Sequence, residues 1–269
     1  MANLQARSDQ ARPLLVVAHP GHELRLYGWC ALAQPDLFIL TKGARGQDRS
    51  DRVDASRRLA ASFCMTTVEP LGALRDRDAY QLILDGRAQP FLATIEDLAN
   101  LICERGYSEI VTDAWQGYNP SHDVIHIMAR CAAARAGARL ERSIPVFDYP
   151  VLPKALAPNE PLGPHYHTVA LDASQLRKKL AAMEAYPEVE SEREELLALE
   201  CAAELASEPL HTPRSVASIL SANSTPVYEL YGQARVASGV YQHVLRRHHV
   251  IAIVRELICA HADILDAAA

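Results

Sequence analysis

A run of five apolar residues, Leu14-Leu15-Val16-Val17-Ala18, stops abruptly at His19-Pro20-Gly21-His22-Glu23. A short continuous run of branched apolar side chains reads as a strand buried on both faces, as inside a parallel sheet. Open α/β sheets place their ligands beyond the carboxyl ends of such strands. Pro20 removes a backbone donor and stiffens the turn, and Gly21 lets the chain bend sharply, so His19 and His22 can point into one crevice. Two imidazoles and a carboxylate at that point suit a divalent metal. The alternative is a pair of histidines hydrogen-bonded within a strand-to-helix turn.

Strand and helix patterns alternate from there on. Apolar residues fall at helical spacing over 23–32, a strand follows at 36–41, and a polar loop covers 42–50. Further helices are expected at 51–64, 90–104 and 122–136, with strands at 108–112 and, more weakly, at 67–68. This alternation predicts an α/β fold, a Rossmann-like doubly wound, mostly parallel sheet with right-handed crossovers and a helical C-terminal region. Residues 1–150 form the expected metal-site core. Residues 151–269 read as the remainder of the same domain: a proline-rich loop, a strand at 168–171, and helices at 173–186, 188–206 and 241–268.

At 269 residues, with 49% hydrophobic and 22% charged residues, the chain has the makeup of a soluble globular domain. A net charge of −6 gives a nucleic-acid or anionic-membrane partner no electrostatic support. No stretch approaches the roughly 20 apolar residues of a membrane span, and the polar first residues lack the apolar region of a signal peptide. The six cysteines form no CxxC pair and read as small buried apolar residues of a reducing compartment. The expectation is a cytoplasmic protein with a small-molecule substrate and no nucleic-acid or membrane partner.

A second loop, from Asp113 to Asp123, also follows a strand of the expected sheet and so opens on the same edge. His19, His22 and His122 can therefore converge, and three imidazoles with an open fourth position make a catalytic zinc arrangement. Zn2+ is the expected cofactor, although iron, cobalt and nickel also accept imidazole. Glu23, Asp113 and Asp123 are the candidate bases. Trp115 and Tyr118 either wall a substrate pocket or pack the loop, and Tyr118 or Asn119 is placed to hydrogen-bond substrate or an oxyanion. Arg45, with Lys42 and Arg49, either meets an anionic substrate or belongs to a solvated loop; Gly43 and Gly46 lack phosphate-loop spacing. His122 and His126 mimic the two histidines of a zincin helix, but on so strand-rich a chain His126 reads as a core residue. His248-His249 reads as surface.

On these residues the chain resembles the LmbE-like or PIG-L de-N-acetylases. That family's AHPDDE is similar to Ala18-His19-Pro20-Gly21-His22-Glu23, and its LTdG.rG turn to Leu40-Thr41-Lys42-Gly43-Ala44-Arg45-Gly46. Its HPDH is similar to Asn119-Pro120-Ser121-His122, and its late AHxSQ to Ala185-Tyr186-Pro187-Glu188-Val189. The likeness runs through about the first 150 residues and is looser beyond. It implies a zinc-dependent hydrolase that removes an N-acyl group from an amino sugar or related small metabolite. It also implies altered machinery, because Gly21 stands at the family's general-base aspartate and His22 at a metal-ligand aspartate. Asn119, Ser121 and Tyr186 replace further motif residues. Imidazole in place of carboxylate leaves the site one unit more positive, which favours deprotonation of a bound water. Loss of the base costs on the order of 10²–10⁴-fold in rate. The alternatives are a catalytically degenerate metal- or sugar-binding protein and a non-hydrolytic metal-assisted enzyme.

Overall fold

The computed structural model describes residues 12–43, 50–69, 71–153, 156, 160–186, 194, 198 and 202–261. Its strands are β1 (Leu14–Val17), β2 (Asp36–Ile39), β3 (Ile110–Asp113), β4 (Val146–Tyr149), β5 (His165–Ala170) and β6 (Ser207–His211). They form one six-stranded sheet in the order β2-β1-β3-β4-β6-β5. The first four strands are mutually parallel, and β6 runs antiparallel to both β4 and β5. The helices, in chain order, are α1 (Tyr27–Ala33), α2 (Ser50–Ser62), α3 (Asp76–Leu84), α4 (Gln89–Arg105), α5 (Pro120–Leu140) and α6 (Ala173–Glu184). They continue with α7 (Ala202–Leu205), α8 (Val216–Ser221), α9 (Val227–Ala237) and α10 (Arg247–Cys259).

The apolar run of β1 explains the layering. Leu14, Val16 and Ala18 join one core, while Leu15 and Val17 join the other, as a period of two requires of a strand covered on both faces. The first core is built with Phe91 and Ile95 of α4, Val124 and Met128 of α5, and Val250 and Val254 of α10. The second takes Trp29 and Cys30 of α1 and Val53 and Ala60 of α2. Because β1 lies between β2 and β3, the connections leaving β1 and β3 diverge. That divergence opens a crevice at the carboxyl edge, the usual ligand position in such sheets.

The mostly parallel α/β sheet follows the sequence pattern, with differences that have local causes. The strand expected at 67–68 is a single bridge from Thr67 to Leu37. The helix expected at 23–32 is one 3-10 turn, His22–Leu26, followed by α1. Sequence reasoning misses β4, where Asp148 interrupts a four-residue apolar run, and β6, where Glu208 and Pro209 break the strand pattern. The β4–β6 register is the single pair Asp148–His211, so Pro209 lies outside it. Also missed are α3, α8 and α9, which are short. The acidic helix expected at 188–206 falls largely outside the described residues, and β6 begins directly after it. Of the expected 241–268 helix, Arg247–Cys259 is helical and residues beyond 261 are not described. Cys30 and Cys131 are buried, but Cys64 and Cys259 are exposed, against the expectation of uniform burial.

Two buried charge clusters tie the C-terminal half to the sheet. The Glu208 carboxylate accepts the Gly28 and Trp29 backbone N–H groups at 3.0 and 2.9 Å, satisfying orphan donors at the start of α1. Lys179 Nζ pairs with Glu208 at 2.9 Å and donates to the Arg25 carbonyl at 3.0 Å. Glu208→Ala strips this lysine of its partner and leaves two amides unpaired. A loss of about 3–5 kcal/mol in urea unfolding is expected. Glu160 accepts from Arg214 (2.7 Å), Arg247 (2.7 Å) and Ser224 (2.8 Å), joining the loop after β4 to the segments around α8 and α10. Burial pushes the Glu160 carboxyl up, but the two guanidinium groups and the hydroxyl outweigh it and hold it below the usual 4.5. Its contribution to stability is therefore complete above that value and is lost as pH falls below it. Glu160→Gln should flatten the acid limb of the stability–pH curve, read from thermal melts stepped down from pH 5.

Candidate metal centre

The site begins where β1 ends. Gly21 has φ +98° and ψ −15°, a conformation that L side chains rarely adopt, and it launches the 3-10 turn carrying His22. His122 arrives on the first turn of α5. Asn119 caps this helix by accepting the Ser121 N–H at 2.9 Å, and Pro120 occupies its first position. The three imidazoles meet with ring centroids 5.2 Å (His19–His22), 5.0 Å (His19–His122) and 4.5 Å (His22–His122) apart.

Two carboxylates stand behind these rings. His19 Nδ1 lies 2.7 Å from Thr41 Oγ1 and 3.2 Å from Asp76 Oδ1, and the Thr41 hydroxyl donates to Asp76 at 2.5 Å. His22 Nδ1–H donates to Asp113 Oδ2 at 2.9 Å. Asp113 is fully buried and also accepts the Ala18 N–H at 2.9 Å and the Tyr149 hydroxyl at 3.0 Å. Carboxylates that take the Nδ1 proton fix the tautomer and direct Nε2 outward, the usual support of a metal-bound histidine.

The electrostatics favour a cation. Burial pushes Asp76 up, but His19, Thr41 and Arg52 override it and hold the carboxyl at about 2. Burial likewise opposes ionisation of Asp113, and His22, His122 and the Ala18 amide outweigh it to lower the pKa. His19 is raised because Asp76 overcomes burial, whereas burial keeps His22 lowered despite Asp113. Burial and the two neighbouring histidines drive His122 far down, leaving a neutral ring. His19 Nε2 and His122 Nδ1 are buried without a hydrogen-bond partner. Buried polar atoms are rarely left so, and lone pairs on converging imidazoles are the donor set that zinc takes. Ligand atoms of His22, Asp113 and His122 lie within 4.8 Å of one another. That group contains Asp113, which holds the His22 ring, and not His19, the third imidazole of the sequence reading.

The other expected site residues take more varied places. Glu23 accepts the Gly21 N–H at 2.9 Å and the Ser56 hydroxyl at 2.5 Å; Ser56 meets the Tyr186 hydroxyl at 2.8 Å. Both Glu23 oxygens thus brace the turn, and Tyr186, from the late motif, backs them. Asp123 Oδ1 accepts the Gln116 and Gly117 N–H groups at 3.2 and 3.1 Å, clamping the loop, and burial, with Glu160 adding repulsion, pushes its carboxyl up to about 8. Trp115 is 2% exposed and part of the core, and it also lines a small cavity with Ala114, His126 and Asp148. Tyr118 and Asn119 are half-buried, and Asn119 Nδ2 donates to the Tyr80 hydroxyl at 2.9 Å. His126 Nδ1–H donates to the Asp113 carbonyl at 3.1 Å, turning it away from the zincin arrangement. His249 accepts the Arg246 N–H at 2.9 Å at the start of α10. Arg45 and Arg49 lie outside the described residues.

Thr41 stands within a quoted motif, but Asp76, Tyr80 and Tyr149 carry no local signal of a site role. Asp76→Asn and Asp113→Asn should each weaken zinc binding 10–100-fold in competition with a chromophoric chelator. At Gly21, Gly21→Ala forces a side chain onto φ +98° and should cost about 1–3 kcal/mol of stability in chemical unfolding.

No protein-family model matches the chain, and no curated protein matches it. Similar solved structures include the A40926 pseudoaglycone deacetylase Dbv21, at 16% identity over 77% of this chain and 100% of that one, with a TM-score of 0.49. A conserved protein from Thermus thermophilus is 18% identical over 77% of this chain and 96% of its own, with a TM-score of 0.49. A triple mutant of a deacetylase of teicoplanin biosynthesis is 14% identical over 73% of this chain and 96% of that one, with a TM-score of 0.47.

Proposed function

We propose that this chain is a divalent-metal hydrolase, with zinc as the preferred ion, that removes an N-acyl group from an amino sugar or related small metabolite. The observation that carries the reading is the buried, partnerless Nε2 of His19 among three imidazoles backed by Asp76 and Asp113. His19, His22 and His122 are the residues that would hold the ion. When bound, zinc supplies Lewis acidity toward an acyl carbonyl and lowers the pKa of water. Asp76 and Asp113 orient the first two rings, Glu23 fixes the turn between them, and Tyr118 and Asn119 are the loop residues that would meet substrate groups, Asn119 in exchange for its bond to Tyr80. The amide hydrolysis adds water across the C–N bond and releases a carboxylic acid and an amine. The motif resemblance to LmbE-like and PIG-L de-N-acetylases supports this choice of bond.

One observation favours the second reading, a binding protein of the same fold without turnover. Glu23 and Asp113 have both carboxylate oxygens engaged, Asp123 clamps the loop, and Gly21 offers no carboxyl at the family's base position. Hydrolysis without a positioned base is expected to be slower by on the order of 10²–10⁴-fold. The test is release of acetate from N-acetylglucosamine and its phosphorylated and lipid-linked derivatives, by zinc-loaded wild type and by His122→Ala. Slow turnover that chelation or His122→Ala abolishes supports the hydrolase. Zinc binding with no acetate above background on any substrate supports the binding protein.

A further inference from the structure

His126 lies one turn after His122 on α5 and is fully buried. Its Nδ1 faces two oxygens, the Asp113 carbonyl at 3.1 Å and Asp148 Oδ2 of β4 at 3.6 Å. A carbonyl oxygen only accepts, so the shorter contact requires the proton on Nδ1. Burial and the Arg130 guanidinium drive this imidazole down to about 3, so the ring is neutral and carries that one proton. Trp115 meets the ring edge-on with centroids 6.5 Å apart, and Nε2 is buried without a hydrogen-bond partner. The N–H that His126 has to give therefore goes to Asp113.

The peptide between Asp113 and Ala114 is clamped at both ends. Its carbonyl accepts from His126, and its N–H donates to the Tyr149 carbonyl at 2.9 Å. The Asp113 side chain leaves the same backbone and carries the bond to His22 Nδ1–H at 2.9 Å. Tilting that peptide moves the carboxylate, and a hydrogen bond weakens steeply as its angle closes below about 120°. Asp113 and His126 both have no solvent exposure, so solvent does not replace a lost donor. A buried carbonyl left unpaired costs about 1–3 kcal/mol, which is reason enough for the peptide to tilt toward another partner.

We infer that His126 is a positioning residue of the metal centre: through the Asp113 carbonyl it sets the carboxylate that aims the His22 ring. Helix α5 then serves the centre twice, presenting His122 from its first turn and steadying His22 from its second. The inference rests on the proposed metal centre for its purpose, but ring orientation is measurable with no metal bound. Long-range 1H–15N spectra of the zinc-free full chain read the tautomer of each imidazole, and wild type should show His22 and His126 both protonated on Nδ1. Two variants separate donation from packing. Leucine fills the space of the ring and donates nothing, whereas asparagine leaves a void but keeps an N–H at the place of Nδ1. His126→Leu should leave His22 in mixed tautomers and weaken zinc about tenfold in chelator competition. His126→Asn should restore the His22 tautomer and most of the zinc affinity while being the less stable of the two in unfolding. A packing role alone predicts the reverse order for His22 and zinc, and that order overturns the inference. So does a wild-type His126 protonated on Nε2, a result that needs no variant to fold, or a His126→Leu chain with unchanged His22 and zinc affinity. Tautomers that follow the expected pattern in a chain that holds no zinc support the positioning role and contradict the metal centre.

Discussion

A carboxylate with no solvent exposure, Asp113, fastens the carboxyl edge of the sheet. One side chain at the end of β3 accepts from the Ala18 amide at the end of β1, from the His22 ring beyond the turn, and from the Tyr149 hydroxyl of β4. Three parallel strands and the first histidine turn are thereby held to a common point at the fold's switch in strand order. A buried anion is tolerable only with such a full set of donors. Any change in one donor is felt by the ring it orients.

The same device recurs at His19, where Asp76 and Thr41 play the part that Asp113 plays at His22. The centre is thus two oriented imidazoles plus a third, His122, delivered by the capped start of α5. The carboxylates of Asp76 and Asp113 stand behind the His19 and His22 rings. Carboxylates so placed fix the tautomer and orientation of the rings they hold. Gly21 belongs to the same device, since the turn that aims His22 at Asp113 holds φ +98°, which L side chains rarely adopt.

The parts legible in the sequence are those with local physical signatures. The apolar run of β1, its halt at His19, and the Asn119-Pro120 start of α5 each announce themselves, and together they bring out the three histidines whose rings meet. The supporting residues do not. Asp76 lies on a nine-residue helix with no side-chain cap bond, and Tyr149 on a four-residue strand broken by Asp148. Their roles exist only once strand order brings residues 35 to 95 positions apart into hydrogen-bond range. β6 was hidden for a related reason. Glu208 and Pro209 oppose a strand locally, and the strand persists because Glu208 caps α1 and neutralises Lys179. The sequence leaves Trp115 open between pocket wall and loop packing, and only the assembled fold shows it buried in the core.

Zinc K-edge absorption on the zinc-loaded full chain tests the central claim most directly, because it reads the ligands without any substrate. Imidazole-dominated coordination with Zn–N distances of about 2.0–2.1 Å, altered in His22→Ala, is the predicted result. A shell of oxygen ligands alone, or a chain that retains no zinc after desalting, would contradict a histidine metal centre at this edge of the sheet.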